Sequence, residues 1–186
     1  MRTEYEGHNA DFSNAAHMAA RRLIYPHVFG VDDDALQFED TLLDGGTERE
    51  RILDGEMGVD RIVRVSTDGM HAPIVYTVQE RFRRPEYSGY GDMTITEWNG
   101  ASNLPSELYK INAGLFVYGY FSEERATFID WVCVDVVRLL LNITHGSINY
   151  TSRQNRKQQT FFCFPMAELR VRKCILAKKR HGVMGR

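Results

Sequence analysis

Apolar residues along the chain fall into blocks with different periods. Asp11 to Tyr25 (DFSNAAHMAARRLIY) opens on a capping aspartate, is rich in alanine, and places Ala15, Met18, Ala19 and Leu23 at helical spacing before Pro26; this predicts a helix. The stretch from Val31 to Gly58 is acidic and glycine-punctuated, with Gly45-Gly46 as a turn and no sustained period, which predicts an exposed, partly irregular region. From Val59 the texture becomes β-rich. VDRIVRVS and PIVYTVQERFR are separated by a segment containing Asp68-Gly69, so they predict a hairpin. GDMTITEW adds a third strand expected to extend the same sheet. SELYKINAGLFVYGYF should start helical behind Ser106, with an aromatic second half able to turn into a strand. Ser122 to Leu141, with a serine, an acidic first turn and apolar spacing, predicts a long helix. SINYTSR and TFFCF then read as two strands joined by RQNRKQQ.

Helix, strands and helix in this order predict one α/β domain over residues 1–186, a mixed central β-sheet flanked by helices. At 186 residues and 43% hydrophobic, the chain is long enough for an ordinary core. The opening MRTEYEGHNADF carries charges and no apolar run, which argues against a secretory segment or a first membrane span. The longest apolar stretch, Phe128 to Leu141, is interrupted by Asp130, Asp135 and Arg138. Cys133, Cys163 and Cys174 are odd in number and widely spaced, so they fit neither a disulfide framework nor a C-x-x-C metal site. These features lead to the expectation of a soluble protein in the reducing cytoplasm.

Charge is divided unevenly. Residues 1–60 carry fourteen acidic and five basic side chains, whereas the segment 151–186 carries ten basic ones, Lys157 among them, against Glu168 alone. An acidic pocket beside a basic face suits phosphodiester chemistry, with cations in the one and phosphates on the other. A solvated basic tail complementing an acidic front would give the same composition.

The hairpin is where catalytic groups would meet. Asp60 opens the first strand and Gln79-Glu80-Arg81 lies toward the end of the second, so antiparallel pairing brings these ends together. Strand-end carboxylates paired with Arg61, Arg64, Arg81, Arg83 and Arg84 would be the ordinary structural outcome. Arg81, Arg83 and Arg84 are also interleaved with Phe82, Tyr87 and Tyr90, a pattern able to contact phosphates and stack bases, or to belong in part to the core. The six histidines lack metal-ligand spacing. No phosphate-binding glycine loop, dinucleotide fingerprint or nucleophile elbow occurs.

An aspartate at the start of one strand, a turn, and a following strand with an acidic residue near a cation resemble the PD-(D/E)XK, or restriction-endonuclease-like, nuclease superfamily. The similarity runs roughly from Asp11 to Phe121. It implies a restriction-endonuclease-like fold and Mg²⁺- or Mn²⁺-dependent hydrolysis of DNA. Two site assignments follow from it. In one, Asp60 and Glu80 hold the metal and Lys110 supplies the cation, like the migrated lysine known in that superfamily. In the other, Gln79 and Arg81 replace the carboxylate-x-lysine pair, metal binding weakens, and the chain binds without cutting. Arg83, Arg84 and Lys157 would contact the nucleic-acid backbone in either case. A protein-interaction domain with merely solvated charges is the third reading, and homo-oligomerisation is open in all three.

Overall fold

The computed structural model describes residues 4–41, 47–67, 69, 71–99, 104–155 and 158–179. In chain order the elements are α1 (Glu4–Leu23), α2 (Tyr25–Phe29), β1 (Leu36–Asp40), α3 (Glu48–Arg51), β2 (Arg61–Val65), β3 (Ile74–Arg83), β4 (Asp92–Asn99), β5 (Leu104–Pro105), α4 (Glu107–Lys110), β6 (Leu115–Ser122), β7 (Thr127–Asp135), α5 (Val136–Thr144), β8 (Thr151–Gln154), β9 (Thr160–Pro165), α6 (Met166–Val171) and β10 (Ile175–Lys178). Six strands form the central sheet in the order β1-β2-β3-β6-β7-β10, and four form a second sheet, β5-β4-β9-β8. Among the described residues β3 and β6 run parallel in the central sheet and its other pairs are antiparallel. The sheet is therefore mixed and flanked by helices, as the sequence predicts.

Two apolar cores lie on opposite faces of that sheet. On one face α1 and α2 deliver Phe12, Ala16, Ala19, Ala20, Ile24 and Tyr25 onto Val63, Val78, Val117, Trp131 and Cys133. The alanines let the helix lie close, and each large apolar side chain so buried contributes about 1.5–3 kcal/mol. On the other face Met93 and Ile95 of β4 and Phe164 of β9 pack on Ile62, Phe116, Tyr118, Val132 and Val134. Alternation along β6 serves both cores, Phe116 and Tyr118 facing the second sheet and Val117 the helix. Gly119 lies where β6 meets β7: a Cβ there would stand 2.9 Å from the Phe128 ring and 3.1 Å from Trp131 Cβ.

The β2–β3 hairpin forms as predicted, with Arg61 opposite Val78 and Val65 opposite Ile74. Asp68 of its expected turn lies outside the described residues, while Gly69 has φ +86°, a region glycine enters without steric cost. Three expectations are corrected. β4 is a strand but pairs with β5 and β9, because Met93 and Ile95 must cover the central sheet and cannot do so from within it. The acidic region is less irregular than its composition suggests, since Leu36–Asp40 forms the edge strand β1 against β2.

The third correction concerns the long helix expected over Ser122 to Leu141, which is mostly strand. Phe128, Trp131 and Cys133 face the helix layer while Val132 and Val134 face the second sheet, so this apolar run is buried on both sides. The Ser122 hydroxyl accepts the Arg125 N–H at 3.3 Å in a turn rather than capping a helix. The cap is Asp135, whose Oδ1 accepts the Arg138 N–H at 2.9 Å, and α5 starts behind it. Among the described residues no helix is long and apolar enough to cross a membrane.

Candidate functional site

Register divides the predicted site residues between the two faces of β3. Gln79 aligns with Phe116, Glu80 with Val117 and Arg81 with Tyr118. Neighbouring strands in register present side chains to the same face, so Glu80 points to the helix layer and Gln79 and Arg81 to the second sheet. Asp60, just before β2, accepts the Glu80 backbone N–H on Oδ2 at 2.7 Å.

Glu80 sits inside a buried polar network. Its side chain is fully enclosed, the Tyr25 hydroxyl donates to Oε1, and Oε2 is hydrogen-bonded to His17 Nδ1. The Arg61 guanidinium, also enclosed, lies 3.4 Å from Oε1 and pairs with Asp40 at 2.9 Å. Arg21 closes the network on Asp40. Burial works to raise the Glu80 carboxyl, but the His17 hydrogen bond, the Arg61 charge and the Tyr25 hydroxyl outweigh it and hold the group below its ordinary value. The same environment pushes the Tyr25 hydroxyl well up, chiefly by burial and then by the Glu80 charge. Burial opposes the Arg61 charge, yet Glu80, Tyr25 and Asp40 together keep its pKa above the usual value.

The sequence suggested Glu80 as a metal ligand with Asp60; here its carboxylate meets Tyr25, His17 and Arg61. Its oxygens face three protein partners on the side away from Gln79 and Arg81. Sequence reasoning missed the network because its members come from α1, α2, β1 and β2. Arg61 did offer a signal, as a cation on the face of β2 that also presents Val63 and Val65.

On the opposite face Gln79, Arg81 and Lys110 converge on a cleft of about 310 Å³ lined also by Gly58, Thr96, Ser106 and Glu107. Arg81 donates to Thr96 Oγ1 at 2.8 Å and to Glu107, with the Phe161 ring 5.6 Å from its guanidinium carbon. Glu107 also accepts the Thr96 N–H at 3.0 Å. The Gln79 side-chain oxygen is buried and has no hydrogen-bond partner among the described residues. Gly58 has φ +57°, and a Cβ there would press to 3.3 Å from that oxygen. Lys110 is exposed at the end of α4; Ser106 precedes this helix, but its side chain makes no capping bond.

Beyond the cleft the cationic face continues. Arg83, two residues along β3, reaches Thr94 Oγ1 at 3.5 Å and lies 4.2 Å from the Tyr87 ring centre. Arg153 of β8 lies 5.9 Å from the Tyr90 ring centre and 3.8 Å from Asp92. Arg84 takes the other direction, pairing with Glu123 at 2.8 Å and lying over Phe12 of α1; it is thereby separated from Arg83. Lys157 lies outside the described residues.

Divalent hydrolysis needs a shell of hard oxygens, usually including one or two carboxylates. Among the described residues no three His, Cys, Asp or Glu side chains gather as such a shell. Among the described residues lining the cleft the carboxylate is Glu107, which pairs with Arg81, and Asp60 accepts a backbone amide on Oδ2. The charged lining of the cleft is Arg81, Lys110 and Glu107, two cations to one carboxylate.

No family model matches the chain, and no curated protein matches its sequence. A solved structure described as D212, a nuclease from a fusselovirus, aligns over 94% of both chains at 11% identity with a TM-score of 0.35. At that level of likeness the functional reading rests on the geometry of this chain alone.

Proposed function

We propose that the chain is a nucleic-acid-binding module on a mixed α/β frame, engaging the backbone of DNA through the face that carries Lys110, Arg81, Arg83 and Arg153. The observation that carries this reading is the triple placement of Arg81, Arg83 and Arg153 over the rings of Phe161, Tyr87 and Tyr90. Such guanidiniums are held in place without being fully consumed by carboxylates. Phosphates meeting an ordered row of cations release counterions, which supplies sequence-independent affinity. Among the described residues Arg83 is held by the Thr94 hydroxyl and the Tyr87 ring, which leaves its charge available to a phosphate.

The test is a fluorescence-anisotropy titration of labelled DNA at several salt concentrations. Affinity should fall steeply with salt, and the Arg83→Ala protein should show a slope of log K against log salt smaller by about one. Absence of DNA binding at low salt would sink the reading.

Hydrolysis with Mg²⁺ or Mn²⁺ is the second reading, favoured by one observation: the buried Gln79 oxygen, without a hydrogen-bond partner among the described residues, is the kind of hard donor a divalent cation takes. Under it, Asp60→Ala would abolish metal-dependent cleavage of DNA while leaving binding nearly intact, and Gln79→Ala would do the same. Wild-type protein that binds DNA but leaves it uncut in either metal decides for the binding module.

A further inference from the structure

The chain between β3 and β4 is a 3₁₀ turn, Pro85–Tyr90, and it is built to display two rings. Pro85 at its first position fixes the entry. Gly91 follows at φ +62°, and its carbonyl accepts the Met166 N–H at 3.1 Å, tying the exit to α6. Tyr87 and Tyr90 stand 6.4 Å apart, centre to centre, and within 25° of parallel. They are 37% and 62% exposed, so neither serves the core. Arg83 lies over the first ring and Arg153 over the second, one from each sheet. Two near-parallel rings, exposed on a braced turn with a guanidinium near each, present flat π-surface beside cations.

Resting on the nucleic-acid reading above, we propose that Tyr87 and Tyr90 form a base-stacking platform that makes the cationic face selective for single-stranded over duplex nucleic acid. A duplex keeps the faces of its bases inside its own stack and offers this surface only phosphates. A single strand offers both phosphates and unstacked π-faces, and base–aromatic stacking is tolerant of sequence because every base has such a face. The guanidiniums do two things at once. They hold each ring in place and stand ready to contact the phosphate that joins successive stacked bases.

The experiment compares three labelled probes in anisotropy titrations with the 186-residue chain: a 20-nucleotide thymidine strand, the same length of abasic strand, and a 20-base-pair duplex. Wild type should bind the thymidine strand most tightly. The Tyr87→Ala/Tyr90→Ala protein should lose about ten-fold or more on that strand and nothing on the duplex. The Tyr87→Phe/Tyr90→Phe protein, which keeps both rings, should retain wild-type affinity. The abasic strand should bind wild type only as well as the thymidine strand binds the alanine variant. Equal wild-type affinity for abasic and thymidine strands overturns the platform, as does an alanine variant that loses equally on strand and duplex or on neither. In those cases duplex binding with its salt dependence leaves the cationic face standing. Failure of wild type to bind any of the three probes overturns the nucleic-acid reading itself.

Discussion

Glu80, a metal ligand in the reading of the sequence, lies in a closed hydrogen-bonded network, and its replacement separates a structural carboxylate from a metal ligand. In the Glu80→Ala protein Arg61, with a side chain 1% exposed, would keep Asp40 but lose its second counter-charge. Tyr25 and His17 would lose the acceptor they share. Removing one partner of a buried ion pair typically costs 3–5 kcal/mol, and the remaining Asp40 contact puts this case at about 3 kcal/mol. In a domain of this size that corresponds to a fall of roughly 6–12 °C in the thermal midpoint. Glu80→Gln keeps the shape and one acceptor, so it should cost less, about 1.5–3 kcal/mol for hydrogen bonds no longer made to a charge.

Urea denaturation measures both values, provided the slope of the transition is unchanged. The pH dependence adds a second readout. Because the folded carboxyl is held below its ordinary value of about 4.3, its contribution is complete above that value and is lost as pH falls through the folded one. The gap between wild type and Glu80→Gln should therefore be full above about pH 5 and narrow in acid. A Glu80→Ala protein as stable as wild type, within about 0.5 kcal/mol, would refute this reasoning. It is the result expected if Glu80 were a ligand carboxylate, whose removal relieves repulsion.

Gly119→Ala should destabilise by about 1–3 kcal/mol, the usual range for overpacking, since its Cβ would meet the Phe128 ring at 2.9 Å with Trp131 behind it; an unchanged urea midpoint would count against that packing. Burial pushes the Cys133 thiol up to about 12 and raises Cys163 and Cys174 as well, so native protein should resist thiol reagents at neutral pH, with all three cysteines reacting in denaturant. Glu107→Gln should raise DNA affinity several-fold by releasing Arg81, in an anisotropy titration at low salt; a decrease would mean that the Glu107 contact with the Thr96 N–H is needed to shape the cleft.

The hairpin was legible because its information is local: alternation on each strand and a turn signal between them. The same alternation carried the facing of Gln79 against Glu80, but it did not say which face held the helix and which the second sheet. That depended on α1 arriving from the N-terminus with His17 and Tyr25, and on β4 leaving the central sheet to pair with β9. The helix expected over Ser122 to Leu141 failed for a related reason. A run buried on both faces loses its polar positions, and with them the period that separates strand from helix. In β7 only β-branched and aromatic content favours the strand, while the capping signals at Ser122 and Asp135 look alike until their partners are known.

Glu80 and Arg81 are adjacent in sequence, yet they end on opposite sides of a sheet in two ionic systems with different consequences. The Glu80 system is closed: tyrosine, histidine and arginine each meet a carboxylate oxygen, and the network joins α1 and α2 to the sheet. The Arg81 system is open. Its cleft holds an unpartnered amide oxygen and is lined by the exposed Lys110, and its cationic line runs on through Arg83 toward the exposed rings of Tyr87 and Tyr90. A network that satisfies its charges internally gains rigidity and loses the capacity to bind, whereas incomplete satisfaction at a surface leaves free energy for a ligand to release. Function in this chain is therefore sought on the odd-numbered side of β3, where Gln79, Arg81 and Arg83 face the second sheet, and stability on the even-numbered side, where Val78 and Glu80 face the helix.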